Sequence, residues 1–99
     1  MPNVKRIEDV IPDESKTATI RLHYPVQLAD RVVQELSMRR PTMGDLLDYE
    51  PKSIEDITAE VALLGRLCGL KKEEMRLLDA TDYARLQNQY LRFRAVSGA

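Results

Sequence analysis

Apolar and polar side chains alternate along residues 17–24, a pattern that is typical of a β-strand with one buried face. His23 falls on the polar face and is expected to point to solvent. Pro25 has no N–H to donate to a ladder, so the strand is expected to end there. The residues on the apolar face are Ala18, Ile20, Leu22 and Tyr24.

A second alternating stretch covers residues 32–38 and predicts a strand that pairs with the first as a hairpin. Gln34 is the polar exception on its apolar face, and Val33 is the apolar exception on the opposite face. Two strands alone are only marginally stable, so helices are expected to pack on their shared apolar face. The apolar positions of this strand are Val32, Leu36 and Met38.

Helical signals follow the second strand. Thr42 precedes Asp45 by three residues, as in a capping box, which predicts a short helix over residues 43–49. Ser53 is the expected N-cap of a second, amphipathic helix of about 16 residues. Gly69 is expected to end that helix, because glycine is favoured just past a helix C-terminus. The apolar stripe of the second helix is Ile54, Ile57, Val61, Leu64 and Cys68.

The remaining chain predicts a short helix around residues 70–78 and a last helix over residues 82–94, with Thr81 as its cap. One stripe of this last helix holds four large side chains. Such a stripe either packs into the core or is offered to another subunit or a partner helix, and aromatic rings with a polar end suit interfaces. The stripe consists of Tyr83, Leu86, Tyr90 and Phe93.

Together these elements predict an α+β fold, in which an N-terminal two-stranded antiparallel hairpin is followed by three to four helices. A chain of 99 residues has room for one modest core. We expect a flexible N-terminal arm over residues 1–16, a single α+β domain over residues 17–94 and a disordered tail over residues 95–99. The alternative for the arm is that it folds on a partner.

The chain offers little catalytic or metal-binding chemistry. It has one histidine, His23, and one cysteine, Cys68, which are too few for a disulfide or a zinc site. No phosphate-binding, dinucleotide-binding or hydrolase motif occurs. We therefore expect no enzyme activity, no catalytic residue, no metal site and no cofactor. A small enzyme is the weakest alternative, because Cys68 lies on an apolar stripe and would make a poor thiolate.

Apolar runs in this sequence are short. The longest, residues 61–64, is far shorter than the roughly 20 residues of a membrane span. The first 16 residues lack the apolar core of a signal peptide. We expect a cytoplasmic protein that does not bind membranes.

Charge is balanced overall and uneven along the chain. Fifteen basic and 16 acidic side chains give a formal net charge of −1. Residues 41–65 carry one basic and six acidic side chains, whereas residues 66–99 carry seven basic and four acidic ones. Two explanations of this uneven charge are open. Acidic side chains favour helix N-termini and basic ones favour C-termini, or the acidic region of one copy binds the basic region of another.

Three arginines near the hairpin ends, Arg21, Arg39 and Arg40, allow a second kind of partner. Clustered guanidinium groups can contact phosphates. No aromatic side chains interleave with these arginines as in single-strand stacking platforms, and the net charge is close to zero. A small nucleic-acid-binding regulatory module is therefore the alternative function rather than the leading one.

Four stretches stand out together: TIRLHYPV at 19–26, LSMRRPTMGDL at 36–46, LLGRLCGL at 63–70 and LLDATDY at 77–83, with Phe93 near the end. In this order and spacing they resemble the small tail assembly chaperones of Mu-like and P2-like tailed phages and prophages. The resemblance covers about residues 19–93. None of these residues is a catalytic signature, so the resemblance implies a role rather than an active site.

The resemblance implies a non-enzymatic protein of the bacterial host cytoplasm that binds the long, helical tape measure protein. It implies that the protein keeps the tape measure soluble during tail assembly and is absent from the finished virion. Genes of this family often also produce a longer form by ribosomal frameshifting. We expect self-association, since many weak copies can cover a long apolar partner. The expected partner-binding residues are Tyr83, Leu86, Tyr90 and Phe93, with Arg39 and Arg40 as polar contacts.

Overall fold

A computed structural model of the chain describes residues 11–49 and 56–96. Over these residues, a two-stranded antiparallel sheet is followed by four helices, which confirms the predicted α+β fold. The sheet face that turns inward packs against the helices. The elements are β1 (Thr17–Gln27), β2 (Val32–Arg39), α1 (Met43–Tyr49), α2 (Ile57–Cys68), α3 (Lys72–Met75) and α4 (Ala80–Arg94).

A large bulge interrupts the hairpin. The ladder runs in one register as far as the pair Arg21 and Glu35 and resumes in another at the pair Val26 and Val33. Between these pairs β1 has residues 22–25, whereas β2 has only residue 34. The extra residues of β1 therefore bulge away from the regular ladder, and their backbone groups need partners other than β2.

The bulge overturns three predictions about the strands. Tyr24, predicted on the apolar face, is 58% exposed, because the bulge resets the alternation and Val26 takes the inward position. Pro25 does not end β1, since it lies in the bulge, where a missing N–H costs no ladder bond. On β2 the inward residue is Val33, and the predicted Val32 is exposed. His23 is exposed, as predicted.

The core lies between the inward face of the hairpin and helices α2 and α4. Leu63 and Leu64 of α2 and Leu86 of α4 have no exposed surface. Apolar burial of this kind is the main favourable term for so small a chain. The other buried apolar residues are Ile20, Leu22, Val26, Leu28, Val33, Leu36, Met38, Leu67, Leu70, Met75 and Phe93.

The helix bounds agree with the sequence in part. Helix α1 occupies the predicted residues, and α2 ends at Gly69, whose φ of 73° is the left-handed conformation predicted there. The cap of α2 is Asp56, whose carboxylate accepts from the N–H of Ala59 at 3.2 Å, so the helix starts later than predicted. The predicted cap, Ser53, lies outside the described residues.

Helix α4 starts earlier than predicted. Its N-cap is Asp79, which accepts from the N–H of Thr81 at 2.8 Å, and Thr81 itself is helical. Helix α3 has only four residues. In the part of the chain that the structure describes, no helix is both long and apolar enough to cross a membrane.

Candidate partner-binding surface

One narrow stripe of side chains on helix α4 faces the interior of the molecule. Its members are spaced by four, three and four residues, which places them on one helix face, and none is more than 8% exposed. Two are apolar and two are polar. Buried polar side chains need hydrogen-bond partners, so the two polar members show where α4 holds other segments. This α4 stripe is Asp82, Leu86, Gln89 and Phe93.

Asp82 holds the bulge of β1. Its two carboxylate oxygens accept from the N–H groups of His23 and Tyr24, each at 3.0 Å. The guanidinium of Arg85 lies 3.5 Å from the same carboxylate and donates to the carbonyl of Arg21. Burial alone would raise the pKa of Asp82, but the two N–H bonds and the positive charge of Arg85 together lower it. Helix α4 thus supplies the hydrogen-bond partners for backbone groups of the bulge that are not paired with β2.

Gln89 holds the segment that precedes β1, residues 11–16, here called the strap. The amide nitrogen of Gln89 donates to the carboxylate of Asp13 at 2.8 Å. The N–H of Asp13 donates to the carbonyl of Arg92 at 3.0 Å, and the Nε of Arg92 donates to the carbonyl of Ile11 at 3.2 Å. The strap therefore runs along the C-terminal half of α4.

The predicted N-terminal arm over residues 1–16 is thus divided. Residues 1–10 lie outside the described residues, whereas the strap is bonded to α4. Bonds from the backbone and side chain of Ser15, and then from Gln89, lower the pKa of Asp13 to about 2. Flexibility of the arm stays a prediction, and so does disorder of the C-terminal tail.

Arg40, predicted as a partner contact, bonds inside the chain. Its guanidinium donates to the carbonyls of Ser15 at 3.1 Å and Phe93 at 3.0 Å, and also to the carbonyl of Asp13. It lies over the ring of Phe93, 5.1 Å from the ring centre. Arg40 therefore ties the end of β2 to the strap and to the last turn of α4.

Arg39, the other predicted polar contact, forms a two-bond pair with Asp45 at 2.7 and 2.8 Å. Asp45 is only 1% exposed, it also accepts from the N–H of Thr42 at 2.8 Å, and it forms an ion pair with Arg66, whose Nε lies 3.1 Å away. The bond from Arg39 above all, helped by Thr42 and opposed by burial, holds the pKa of Asp45 well below its usual range. This cluster joins β2 to α1 and α2, so the arginine and threonine of the quoted motif support the fold.

The four predicted apolar contact residues divide into two pairs. Leu86 and Phe93 are buried in the core of the chain itself, whereas Tyr83 and Tyr90 are half-buried at its margin. The hydroxyl of Tyr83 donates to Glu60 at 2.6 Å, and burial followed by this carboxylate raises the pKa of Tyr83. The hydroxyl of Tyr90 accepts from Arg94 at 2.9 Å. Their role in partner binding stays a prediction.

Two residues that organise this surface were missed by the sequence analysis, Asp82 and Gln89. The signal was present, because each lies four residues before a large apolar member of the stripe, Leu86 or Phe93. A polar residue at such a position is usually assigned to the solvent side. What it bonds depends on segments 59 and 76 residues away, which periodicity does not show.

The free edge of β2 contrasts with that of β1. Asp82 and Arg85 of helix α4 bond the backbone of β1 at and beside its bulge. Within residues 11–49 and 56–96, the only strand paired with β2 is β1. An open groove of about 540 Å³ follows β2 from Arg31 to Ser37 and reaches Cys68 and Leu70. One edge of the sheet is therefore left unpaired in this part of the chain.

The reactive and charged groups singled out in the sequence are largely engaged in the fold. Burial raises the pKa of the half-buried Cys68 thiol to about 12. Three acidic side chains of the acidic region bond within the chain: Asp45 to Arg39, Asp48 to Arg66 at 3.0 Å, and Glu60 to Tyr83. In the described ranges no group of three side chains could hold a metal ion. Head-to-tail association stays a prediction.

Comparison with known protein families agrees with the resemblance found in the sequence. The model of the family described as "Phage tail assembly chaperone proteins, E, or 41 or 14" matches residues 19–94, which include both strands from Thr19 onward and all four helices. Neither a search of curated proteins nor a search of solved structures returned a match. Since the match covers most of the chain, the protein belongs to this family of phage tail assembly chaperones.

Proposed function

We propose that this tail assembly chaperone binds the tape measure protein, keeps it soluble while the tail is built, and is absent from the finished virion. Family membership over residues 19–94 is the observation that carries the proposal. The protein acts without catalysis, in the host cytoplasm, and in several copies per tape measure. Multiple weak contacts suit a chaperone, because the tail tube protein must later displace it.

Exposed apolar side chains support a protein-binding role. Met43 and Leu47, one turn apart on α1, are 67% and 80% exposed, and Tyr24 at the bulge is 58% exposed. Tyr83 and Tyr90 add half-buried rings along α4. A small chain that leaves this much apolar surface in water gains free energy when a partner covers it.

The nucleic-acid alternative loses part of its support. Of the three arginines on which it relied, Arg39 and Arg40 bond inside the chain, whereas Arg21 is exposed. A salt titration separates the two functions, since phosphate binding weakens steeply with salt and apolar coating does not.

Co-expression with the tape measure protein tests the proposal. We expect the chaperone to move the tape measure into the soluble fraction and to be recovered with it. Tyr90→Ala should reduce the recovered complex, whereas Asn88→Ala should not, because Asn88 is exposed on another face of the same helix. A tape measure that stays insoluble and forms no complex with the wild-type chain would contradict the proposal.

A further inference from the structure

We propose that the strap, residues 11–16, is an intramolecular cover over the C-terminal half of α4, and that it must leave before this half can contact the partner. The inference rests on the proposed function and adds regulation to the same surface. It makes the resting chain a closed form and the partner-bound chain an open one.

Polar bonds, not apolar burial, hold the strap in place. Ile11, its largest apolar side chain, is 72% exposed, and Glu14, Ser15 and Lys16 are also exposed. The hydrogen bonds of the strap with the body include those of Asp13 with Gln89 and Arg92, and that of Ile11 with Arg92. Arg40 donates to strap carbonyls through its guanidinium and through its backbone N–H. A segment attached in this way belongs to the least stable part of a fold, because water can replace each bond as it opens.

The strap contacts Arg40, one of the predicted polar contacts, and Gln89 of the α4 stripe. Gln89 is 8% exposed although it is polar, and its amide faces Asp13. Arg40 bonds the strap and lies over the ring of Phe93, and both of these residues belong to the predicted contact set. Release of the strap would free Arg40 from three carbonyls, those of Asp13, Ser15 and Lys16, and would remove the strap from the side of α4 that carries Gln89.

Amide hydrogen exchange tests the cover without any partner. Asp13→Ala removes the carboxylate that bonds Gln89 and should speed about tenfold the exchange of the two amides that bond across the strap, the amide of residue 13, which donates to Arg92, and that of Arg40, which donates to Lys16. Lys16→Ala is the matched control, because its side chain lies in the same strap, is exposed and makes no hydrogen bond in the described part of the chain. Equal exchange in the two variants would overturn the inference.

A covalent lock tests the regulatory part. Asp13→Cys and Gln89→Cys, placed in a Cys68→Ser background, can be joined by a short bis-maleimide. The matched control is the same chain with both thiols capped by a monofunctional maleimide, so that the strap stays free. We expect the linked chain to bind the tape measure about tenfold more weakly than the capped chain, or worse, because its open form is suppressed.

The outcomes separate the inference from the proposed function. If the linked and capped chains bind the tape measure equally well, the strap is not a cover, although the chaperone role stands. If neither the wild-type nor the capped chain binds the tape measure, the proposed function fails and the inference falls with it.

Discussion

Asp82, in the first turn of α4, accepts the backbone N–H of His23 at 3.0 Å, although the two residues are 59 positions apart. The same carboxylate accepts from the next residue, Tyr24. These amides lie in the bulge and have no partner on β2. One buried side chain therefore fixes the hairpin bulge and the start of the last helix relative to each other.

We expect Asp82→Ala to lower the free energy of unfolding by about 2–4 kcal/mol, because it leaves two amides of the bulge without their acceptor. Asp82→Asn keeps one acceptor oxygen and should lose less. Urea unfolding followed by circular dichroism measures both, with Asn88→Ala as a control on the exposed side of α4. A loss no larger than that of the control would show that the carboxylate does not hold the bulge.

The ion pair of Arg39 and Asp45 gives a second prediction, about the role of the motif LSMRRPTMGDL, which begins in β2. Asp45→Ala should cost about 1–3 kcal/mol, because it leaves the N–H of Thr42 and the guanidinium of Arg39 without their buried acceptor. Arg39→Lys should also destabilise, since an ammonium cannot reproduce the two parallel bonds. Thermal and urea unfolding measure these losses, with exposed Arg76→Ala as control. An Arg39 variant that loses tape measure binding at unchanged stability would instead support the predicted contact role.

Gly65 lies where a side chain does not fit. A Cβ there would come within 2.9 Å of the carbonyl oxygen of Leu70 and of the Cγ of Met75. We expect Gly65→Ala to cost about 1–3 kcal/mol in unfolding free energy, because the turn after α2 must shift. Gly44→Ala is the matched control, since its nearest contact is an ordinary 3.6 Å and alanine favours the helix. Equal stability of the two variants would contradict this packing.

The strap should loosen in acid. Because folding lowers the pKa of Asp13 from 3.8 to about 2, the ionised carboxylate stabilises the closed strap. This contribution is fully present above pH 3.8 and is lost as the pH falls through about 2. The protection factor of the amide of residue 13, taken against its intrinsic exchange rate at the same pH, should therefore fall on acidification, and this extra fall should be absent in Asp13→Asn. An NMR titration that places the pKa of Asp13 at its ordinary value would contradict the bonds from Ser15 and Gln89 together.

Predictions from local sequence signals were correct for features that depend on only a few neighbouring residues. The bounds of α1 and the left-handed Gly69 were predicted because capping and glycine conformation depend on only a few neighbouring residues. Ser53 and Thr81 were predicted as the N-caps of α2 and α4, whereas the observed N-caps are Asp56 and Asp79. The error arose because several residues near each helix start are suitable N-caps.

The role of the candidate surface in partner binding stays a prediction. The sequence identified the helix and its stripe, yet Leu86 and Phe93 turned out to be buried, whereas Tyr83 and Tyr90 stay at the margin. Apolar periodicity shows which side chains share a face, and it does not show whether that face meets the chain's own core or a partner. The guanidinium groups of Arg39 and Arg40, predicted as polar contacts of a partner, bond Asp45 and backbone carbonyls of the same chain.

The sequence by itself determined the order of strands and helices, the α+β class and the family, because alternation, caps and motif order are local properties of the chain. Only the tertiary structure decided the bulge of β1, the attachment of the strap and the burial of Asp82 and Gln89. Each of these depends on hydrogen bonds between segments far apart in sequence. Such bonds form where a polar side chain meets a backbone group or another side chain of a distant segment. The spacing of apolar residues along the sequence does not show where this happens.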